Sequence, residues 1–383
     1  MMNCWLNVLC LSVALIAGGC KSTFTFVGAI ACQGLWNPPV RDVAEPWRFR
    51  GIDVRVRPRI RPGSYASATH GIEFVEPDDL GPHAYRLKWS EKNGIVYTCR
   101  GGHIDIAHVR KAIDWAGFLA AVTLDNIRLE RTGFAFKLRE PSRYHVTFTY
   151  PNQWQATMPE RREHIAREVA ISLGRHFAYV ATTWHEILTW YGYKPKGLRP
   201  AFESAFAWED IYSNLLGTHV AARALRDQQR SFEIAAGLAL DHYLQLLGAQ
   251  PAIVSRRASE KVKGRWYRSK GIFTIIAHRN LDIGTDDGLV SPSLVNSVSD
   301  CGDAKPCLLP VPDLTAVEKN GFRIELEIEP REWEKSRILE AARLDSHDSK
   351  RRIRPQVHFS ILLEHIRNQA VNRGGHKVKV QGI

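Results

Sequence analysis

Residues 99–110, CRGGHIDIAHVR, form the segment from which the fold of this chain can be worked out. The run before it, IVYTC at residues 95–99, is β-branched and aromatic and follows an Asn-Gly pair, which predicts a strand. Gly101 and Gly102 permit a tight turn. Apolar residues then recur at helical spacing from Asp105 to Leu119. The segment therefore predicts a strand, a turn and a helix in succession.

Upstream of this segment, residues 1–19 have the features of a signal peptide. An apolar run over residues 5–16 has the length of a signal core, and Ala-Gly-Gly precedes Cys20. Small residues suit a signal peptidase, so we expect cleavage there and a lipid on Cys20. Cleavage without a lipid, for example before Cys32, and an uncleaved anchor are alternatives, although the run is shorter than the roughly 20 residues of a membrane span. We predict a membrane-anchored lipoprotein of the cell envelope that faces the periplasm.

The net charge limits the partners of such a protein. The 383 residues carry 52 Lys and Arg against 40 Asp and Glu, a formal charge of +12. A basic exported protein is expected to meet anionic envelope surfaces or polymers, besides the bacterial membrane that its lipid anchor would enter. Nucleic acid is excluded as a partner because no recognition motif is present and the predicted compartment is wrong.

The rest of the chain predicts an α+β protein. Residues 21–64 form an extended Pro- and Arg-rich arm, in which residues 52–62 suit either a half-exposed edge strand or a covering segment. Residues 65–383 form a single large domain: strand-rich over 65–150, helical over 158–248 and mixed over 250–383. The helical middle is expected over residues 158–191, 208–226 and 232–247, packed against mostly antiparallel strands. An alternating strand at residues 322–328 and helices at 332–344 and 357–372 are expected to close the chain.

Four cysteines remain after the predicted signal and Cys20. An even number in an oxidising compartment indicates disulfides. Cys301 and Cys307 enclose a turn-rich loop, GDAKP, so we predict that they pair, which leaves Cys32 and Cys99 for each other. Zinc binding by the four is disfavoured because no CxxC spacing occurs.

Three polar side chains follow the Gly-Gly turn, namely His103, Asp105 and His108. Asp105 and His108 lie three residues apart, which places them on one helical face. Imidazole and carboxylate at a helix start can bind a metal or transfer a proton. The alternative is structural: Asp105 caps the helix and His108 is a polar surface residue.

Two helical segments carry further candidates. TWHEILTWYG at residues 183–192 contains a His-Glu pair, but Thr189 stands where a zincin has its second histidine, so we reject that class. Glu186 lies beside an apolar stripe and needs a partner if ionised. In WEDIYSNLLG at residues 208–217, Asp210 either stabilises the helix dipole or joins a buried polar network or cation site.

These three segments together resemble a family of exported bacterial proteins, domain of unknown function 4056. The resemblance extends from the strands before Cys99 to the last helix. It implies a single domain and export, and it implies no activity, cofactor or substrate.

The leading hypothesis is an envelope lipoprotein with a metal-dependent hydrolase site that acts on an anionic envelope substrate. Its catalytic residues would be Asp105, His108, Glu186 and His103. A divalent metal would be bound by Asp105, His108, Glu186 and Asp210, because the three segments would meet at one cleft. The competing hypothesis is a non-enzymatic binding or scaffold lipoprotein, whose polar groups would be buried and mutually satisfied.

Overall fold

The computed structural model describes residues 49–59, 61, 73–85, 90–193, 204–270, 273–344, 351–374 and 379–381. The predicted signal peptide, the lipidation candidate Cys20 and Cys32 lie outside these residues.

The part of the chain that the structure describes contains eight α-helices and several short sheets. The helices are α1 Ile106–Arg128, α2 Pro159–Trp190, α3 Asp210–Arg226, α4 Phe232–Leu246, α5 Ala252–Val262, α6 Thr315–Lys319, α7 Lys335–Ala341 and α8 Pro355–Gly374. The strands are β1 Ile95–Thr98, β2 Gly102–Asp105, β3 Gly133–Phe136, β4 Arg143–Thr149, β5 Tyr267–Lys270, β6 Phe273–Ile276, β7 His278–Asn280, β8 Leu289–Val290, β9 Leu309–Pro310, β10 Arg323–Glu329 and β11 Lys379–Gln381. Strand pairing is antiparallel except between β7 and β11. The chain is thus an α+β protein, as predicted.

Helix α1 is the centre of the helical layer. It is buried over almost its whole length, because α2 and α3 pack against it. A Cβ at Gly174 of α2 would lie 2.6 Å from the Ala116 carbonyl oxygen, and a Cβ at Gly217 of α3 would lie 2.3 Å from that of Val109. Only glycine permits such close approach.

The main sheet covers one side of this layer. Its order is β10-β4-β3, and the burial of β4 alternates along the strand, as expected for a sheet with one wet face. Phe134 and Phe136 of β3 contact Phe177 of α2 at ring-centroid distances of 6.4 and 5.8 Å. Aromatic packing therefore joins the sheet to the second helix.

The described part of the predicted arm lies on the core. Residues 49–59 form turns without a strand, and Phe49 is buried while Ile52, Val54 and Val56 pack against the core. Residues 49–59 therefore contain no strand, and part of their apolar surface lies against the core.

The disulfide prediction was wrong. Cys301 pairs with Cys99, 202 residues away, with the Cα atoms 5.1 Å apart. The Cys307 amide donates to the Arg100 carbonyl at 2.8 Å, so the 301–307 segment lies along the β1–β2 turn. The predicted Cys301–Cys307 pair followed from closeness in sequence, whereas the tertiary fold brings Cys99 closer in space. A Cys32–Cys99 pair is excluded for the same reason.

Within the described residues, no helix combines the length and the apolar character that crossing a membrane requires.

Candidate metal centre

Asp105 lies where β2 ends and α1 begins, and it links the segment at residues 99–110 to the segment at residues 208–217. Its carboxylate caps α1 by accepting from the amides of Ala107 at 2.8 Å and His108 at 3.2 Å. Its own amide donates to Ser213 Oγ on α3 at 3.0 Å. The cap fixes the start of α1, and the second bond fixes that start against α3.

His108 lies one turn into α1 and faces two carboxylates. Its Nδ1 is 2.9 Å from Asp105 Oδ2 and 3.5 Å from Asp210 Oδ1. Its side chain is 14% exposed, more than either carboxylate. The bond to Asp105 holds the ring in one orientation, as a carboxylate bonded to one ring nitrogen often does for a histidine whose other nitrogen binds a metal.

Glu186 of α2 and Asp210 of α3 are held by the turn that precedes α3. The Phe206 amide donates to Glu186 Oε2 at 3.0 Å, and the Ala207 amide donates to Asp210 Oδ2 at 2.8 Å. Phe206 has a φ of +55°, a left-handed conformation that is uncommon for a residue with a bulky side chain. This turn aims two adjacent amides at the carboxylates of two different helices.

His108, Glu186 and Asp210 form a group that could bind a metal ion. Each offers a ligand atom, and these atoms all lie within 4.8 Å of one another. A shared ion at about 2.0–2.2 Å from each ligand fits such spacing. The structure therefore brings together residues from the three segments that the sequence singled out.

Glu209 is a site residue that sequence reasoning missed. It directly precedes Asp210 at the start of the predicted helix, where an acidic residue can also simply stabilise the helix dipole. Its side chain is buried, with the residue 1% exposed, and neither carboxylate oxygen has a hydrogen-bond partner among the described residues. The signal in the sequence was the adjacent acid pair, Glu209 and Asp210, at the start of the helix predicted over residues 208–226.

We refer to Asp105, His108, Glu186, Glu209 and Asp210 as the acidic cluster. Burial and the negative charges of Glu186, Glu209 and Asp105 raise the pKa of Asp210 well above its usual value, and Lys111 opposes that shift. Burial and the charges of Asp105 and Glu186 likewise raise the pKa of Glu209. The carboxylates of the cluster thus repel one another, and among the described residues Lys111 is the cation whose charge opposes this for Asp210.

His103, predicted to be catalytic, is not one of the three residues whose ligand atoms group together. Its ring contacts Tyr97 and Trp208 at centroid distances of 5.0 and 6.0 Å, and Trp208 Nε1 donates to its Nδ1 at 3.3 Å. Burial lowers the pKa of His103 to about 3. The ring is therefore neutral at physiological pH, and its surroundings are those of a core residue.

His185, the neighbour of Glu186, points to a different carboxylate. Its Nδ1 is 2.7 Å from Glu140 Oε1, and Thr189 Oγ1 donates to its backbone carbonyl at 2.8 Å. His185 and Glu186 thus bond to different groups, Glu140 and the Phe206 amide.

The donor set indicates which ions the acidic cluster could hold. One imidazole nitrogen with carboxylate oxygens suits zinc, manganese or iron, and the lack of a thiolate disfavours softer ions. A divalent cation would offset two of the buried negative charges, and uncompensated buried charge is unfavourable.

Comparison with known proteins identifies one family to which the chain is similar. No curated protein and no solved structure matches the chain. The family described as "Protein of unknown function (DUF4056)" matches residues 73–287, which contain every residue of the acidic cluster. This match spans more than half of the 383 residues, so the chain belongs to that family.

Proposed function

We propose that this member of the DUF4056 family is an exported bacterial envelope lipoprotein that hydrolyses an anionic envelope substrate with a divalent metal. The metal would be bound by His108, Glu186 and Asp210. The observation that carries the proposal is the 4.8 Å grouping of their ligand atoms, together with the buried carboxylate of Glu209, which has no hydrogen-bond partner in the described part of the chain.

Each residue of the acidic cluster has a distinct role in this proposal. His108, Glu186 and Asp210 are ligands, and Asp105 orients the His108 ring through the 2.9 Å contact with Nδ1. Glu209 would be the general base, because its carboxylate is buried next to the ligand Asp210, and burial with the charges of Asp105 and Glu186 raises its pKa and so makes it more basic.

The hydrolytic step needs only water as a co-reactant. A metal held by His108, Glu186 and Asp210 would supply Lewis-acid chemistry that makes a water more acidic. Glu209 would accept a proton from that water while the water oxygen bonds to the acyl carbon or phosphorus of the substrate, and it would return the proton to the leaving group as the bond to that group breaks. The net charge of +12 favours substrates of opposite sign.

One observation favours a non-enzymatic role: the acidic cluster has little access to solvent. The four carboxylate residues are at most 4% exposed, and only His108 has appreciable contact with solvent. A structural metal that stabilises a binding or scaffold lipoprotein would suit such a site, since structural sites are closed and catalytic sites keep an open position.

A hydrolysis screen distinguishes the two roles. Zinc- or manganese-loaded protein is tested on chromogenic carboxylate esters and phosphate esters, before and after chelation. Enzymatic function predicts turnover that disappears with chelator and in Asp210→Asn. His185→Ala is the matched control, since it removes a histidine held by a buried carboxylate outside the cluster, and it is expected to keep full activity.

Two results would count against an enzyme. Metal-loaded and folded protein that hydrolyses none of these esters would favour the scaffold role. Turnover that survives both chelation and Asp210→Asn would contradict a reaction at this metal.

A further inference from the structure

A pocket of about 220 Å³ lies at the edge of the helical layer and has no role in the acidic cluster. Arg57, Pro58, Trp115, Leu138 and Arg139 line it. Trp115 and Leu138 are buried, at 2% and 3% exposure, and form its apolar floor, whereas both arginines are exposed. The pocket thus combines an indole surface with two positive charges.

The two arginines are available to a ligand. Among the described residues, no hydrogen bond or ion pair engages the guanidinium of Arg57 or Arg139. Arg61, four residues after Arg57, instead bonds to Glu91 at 2.8 Å and has 1% side-chain exposure. A guanidinium presents a planar fork of donors that matches carboxylate and phosphate oxygens, so two such groups at one pocket favour an anion.

The size of the pocket restricts what it can hold. Sites for whole small-molecule ligands usually measure about 300–1,000 Å³, so this one suits a part of a larger molecule. The Trp115 surface would pack against a ring or an alkyl group that carries the anion. The pocket therefore fits one charged, ring-sized unit.

Helix α1 connects this pocket to the acidic cluster. His108, Lys111 and Trp115 follow at intervals of three and four residues and share one helical face. Seven residues of helix separate His108 from Trp115 by about 10 Å. Lys111 lies between them, with its Nζ 6.0 Å from the Trp115 ring centroid, and its charge also acts on Asp210. A substrate one or two sugar or acyl units long could span this distance.

We propose that the pocket formed by Arg57, Trp115 and Arg139 binds a carboxylate- or phosphate-bearing unit of the substrate that is hydrolysed at the acidic cluster. The assignment of that ligand as substrate rests on the proposed function, whereas the binding of an anion stands on the pocket itself.

The test is calorimetric titration of the purified protein with three probes that share one ring. Glucuronate carries a carboxylate, glucose 1-phosphate carries a phosphate, and glucose carries neither. We expect the better anion to bind at least about tenfold more tightly than glucose, since charge-assisted hydrogen bonds are worth roughly twice neutral ones. The anion that binds more tightly shows whether the pocket prefers a carboxylate or a phosphate.

Variants locate the binding and separate it from the metal. Arg57→Gln combined with Arg139→Gln is expected to weaken the tighter probe by about tenfold or more. Arg161→Gln removes an exposed arginine on α2 and is expected to change nothing. His108→Ala is expected to abolish metal binding but to leave the affinity for the probe within about twofold, which excludes a phosphate bound directly to the metal.

The possible failures can be told apart. Equal binding of glucose, no binding of either anion, or full affinity in the double arginine variant would overturn the pocket proposal while metal-dependent hydrolysis could still be observed. Arginine-dependent binding of an anion by protein that takes up no metal would support the anion site and overturn the proposed function.

Discussion

Two buried groups of charges lie against helix α1, and they are balanced in opposite ways. The first, which we refer to as the arginine network, consists of Arg61, His83, Glu91, Arg110 and Asp114. Glu91 bonds to Arg61 at 2.8 Å and to Arg110 at 3.1 Å, and Asp114 bonds to His83 at 2.8 Å and also to Arg61. Here each carboxylate meets a cation from the chain itself.

The acidic cluster has no such balance. Its four carboxylates face one histidine, with Lys111 as the nearby cation that lowers the pKa of Asp210. A buried ion is tolerated when it is paired and hydrogen-bonded, and it is otherwise costly. The arginine network thus balances its charges with side chains of the chain itself, whereas the acidic cluster is left with an excess of carboxylates, which the proposed metal would offset.

The largest effect is expected from opening the arginine network. Arg61→Met leaves Glu91 and Asp114 without their shared cation, so we expect the free energy of unfolding to fall by about 3–5 kcal/mol. Urea denaturation measures it. Arg55→Met is the control, because the Arg55 side chain is 87% exposed, and it is expected to cost less than about 1 kcal/mol. An equally small cost for Arg61→Met would mean that the network does not need this cation.

Acid is expected to weaken the same network. Burial opposes the charge of Glu91, but the hydrogen bond and charge of Arg61, with the charge of Arg110, lower its pKa from 4.5 to about 2. A lowered folded-state pKa stabilises the fold above the unfolded pKa, so this contribution is lost as the pH falls from about 4.5 through 2. Urea midpoints between pH 6 and pH 3 should fall more steeply for wild type than for Glu91→Gln. If the urea midpoints of wild type and Glu91→Gln fall equally with pH, Glu91 is not responsible for the acid sensitivity.

A smaller effect, a loss of metal affinity, is expected from Asp105→Asn in the acidic cluster. Asparagine still caps α1, but it removes the negative charge that orients His108. Loss of such a supporting carboxylate typically weakens metal affinity by about 10–100-fold, which a competition titration with a chelating dye measures. Glu140→Gln changes the carboxylate bonded to His185 and should leave the metal Kd within about twofold. Equal effects of the two variants would remove the distinction between these His–carboxylate pairs.

The smallest expected effect is a gain in unfolding free energy, from Glu209→Gln, whereas Arg61→Met in the arginine network lowers it. Glu209→Gln removes a buried repulsive charge, so the metal-free protein at pH 8 should gain about 1 kcal/mol of unfolding free energy. Glu332→Gln is the matched control, because Glu332 is 2% exposed and accepts from the Ser142 amide at 2.8 Å, and it should lose stability. A loss of stability in Glu209→Gln as well would show that Glu209 has an internal partner.

Much of the helical layer was predictable because its signals are local. The long helix expected over residues 158–191 is α2, Pro159–Trp190, with proline in the first turn. Periodicity also identified α1, α3, α4 and α8 within a few residues, although α1 continues to Arg128, nine residues past its predicted end at Leu119. Helix α5, Ala252–Val262, was not predicted, although Val254, Ala258 and Val262 recur every four residues along its buried face.

The partners of buried charges were less predictable because they depend on tertiary contacts. Asp105, His108, Glu186 and Asp210 were each selected from local chemistry, and the fold brings them together. Nothing local indicated that Glu209 would lack a partner, that His103 would lie among aromatic rings, or that Cys301 would reach Cys99. Each of these depends on how distant segments pack.

The most direct test of the central claim is the metal content of the purified protein by inductively coupled plasma mass spectrometry. Wild type is compared with His108→Ala and Glu186→Ala, with His185→Ala as the control and circular dichroism to verify folding. The account predicts about one zinc or manganese per chain in wild type and in His185→Ala, and none in the two cluster variants. Folded wild-type protein that binds neither ion, even after incubation with each, would contradict it.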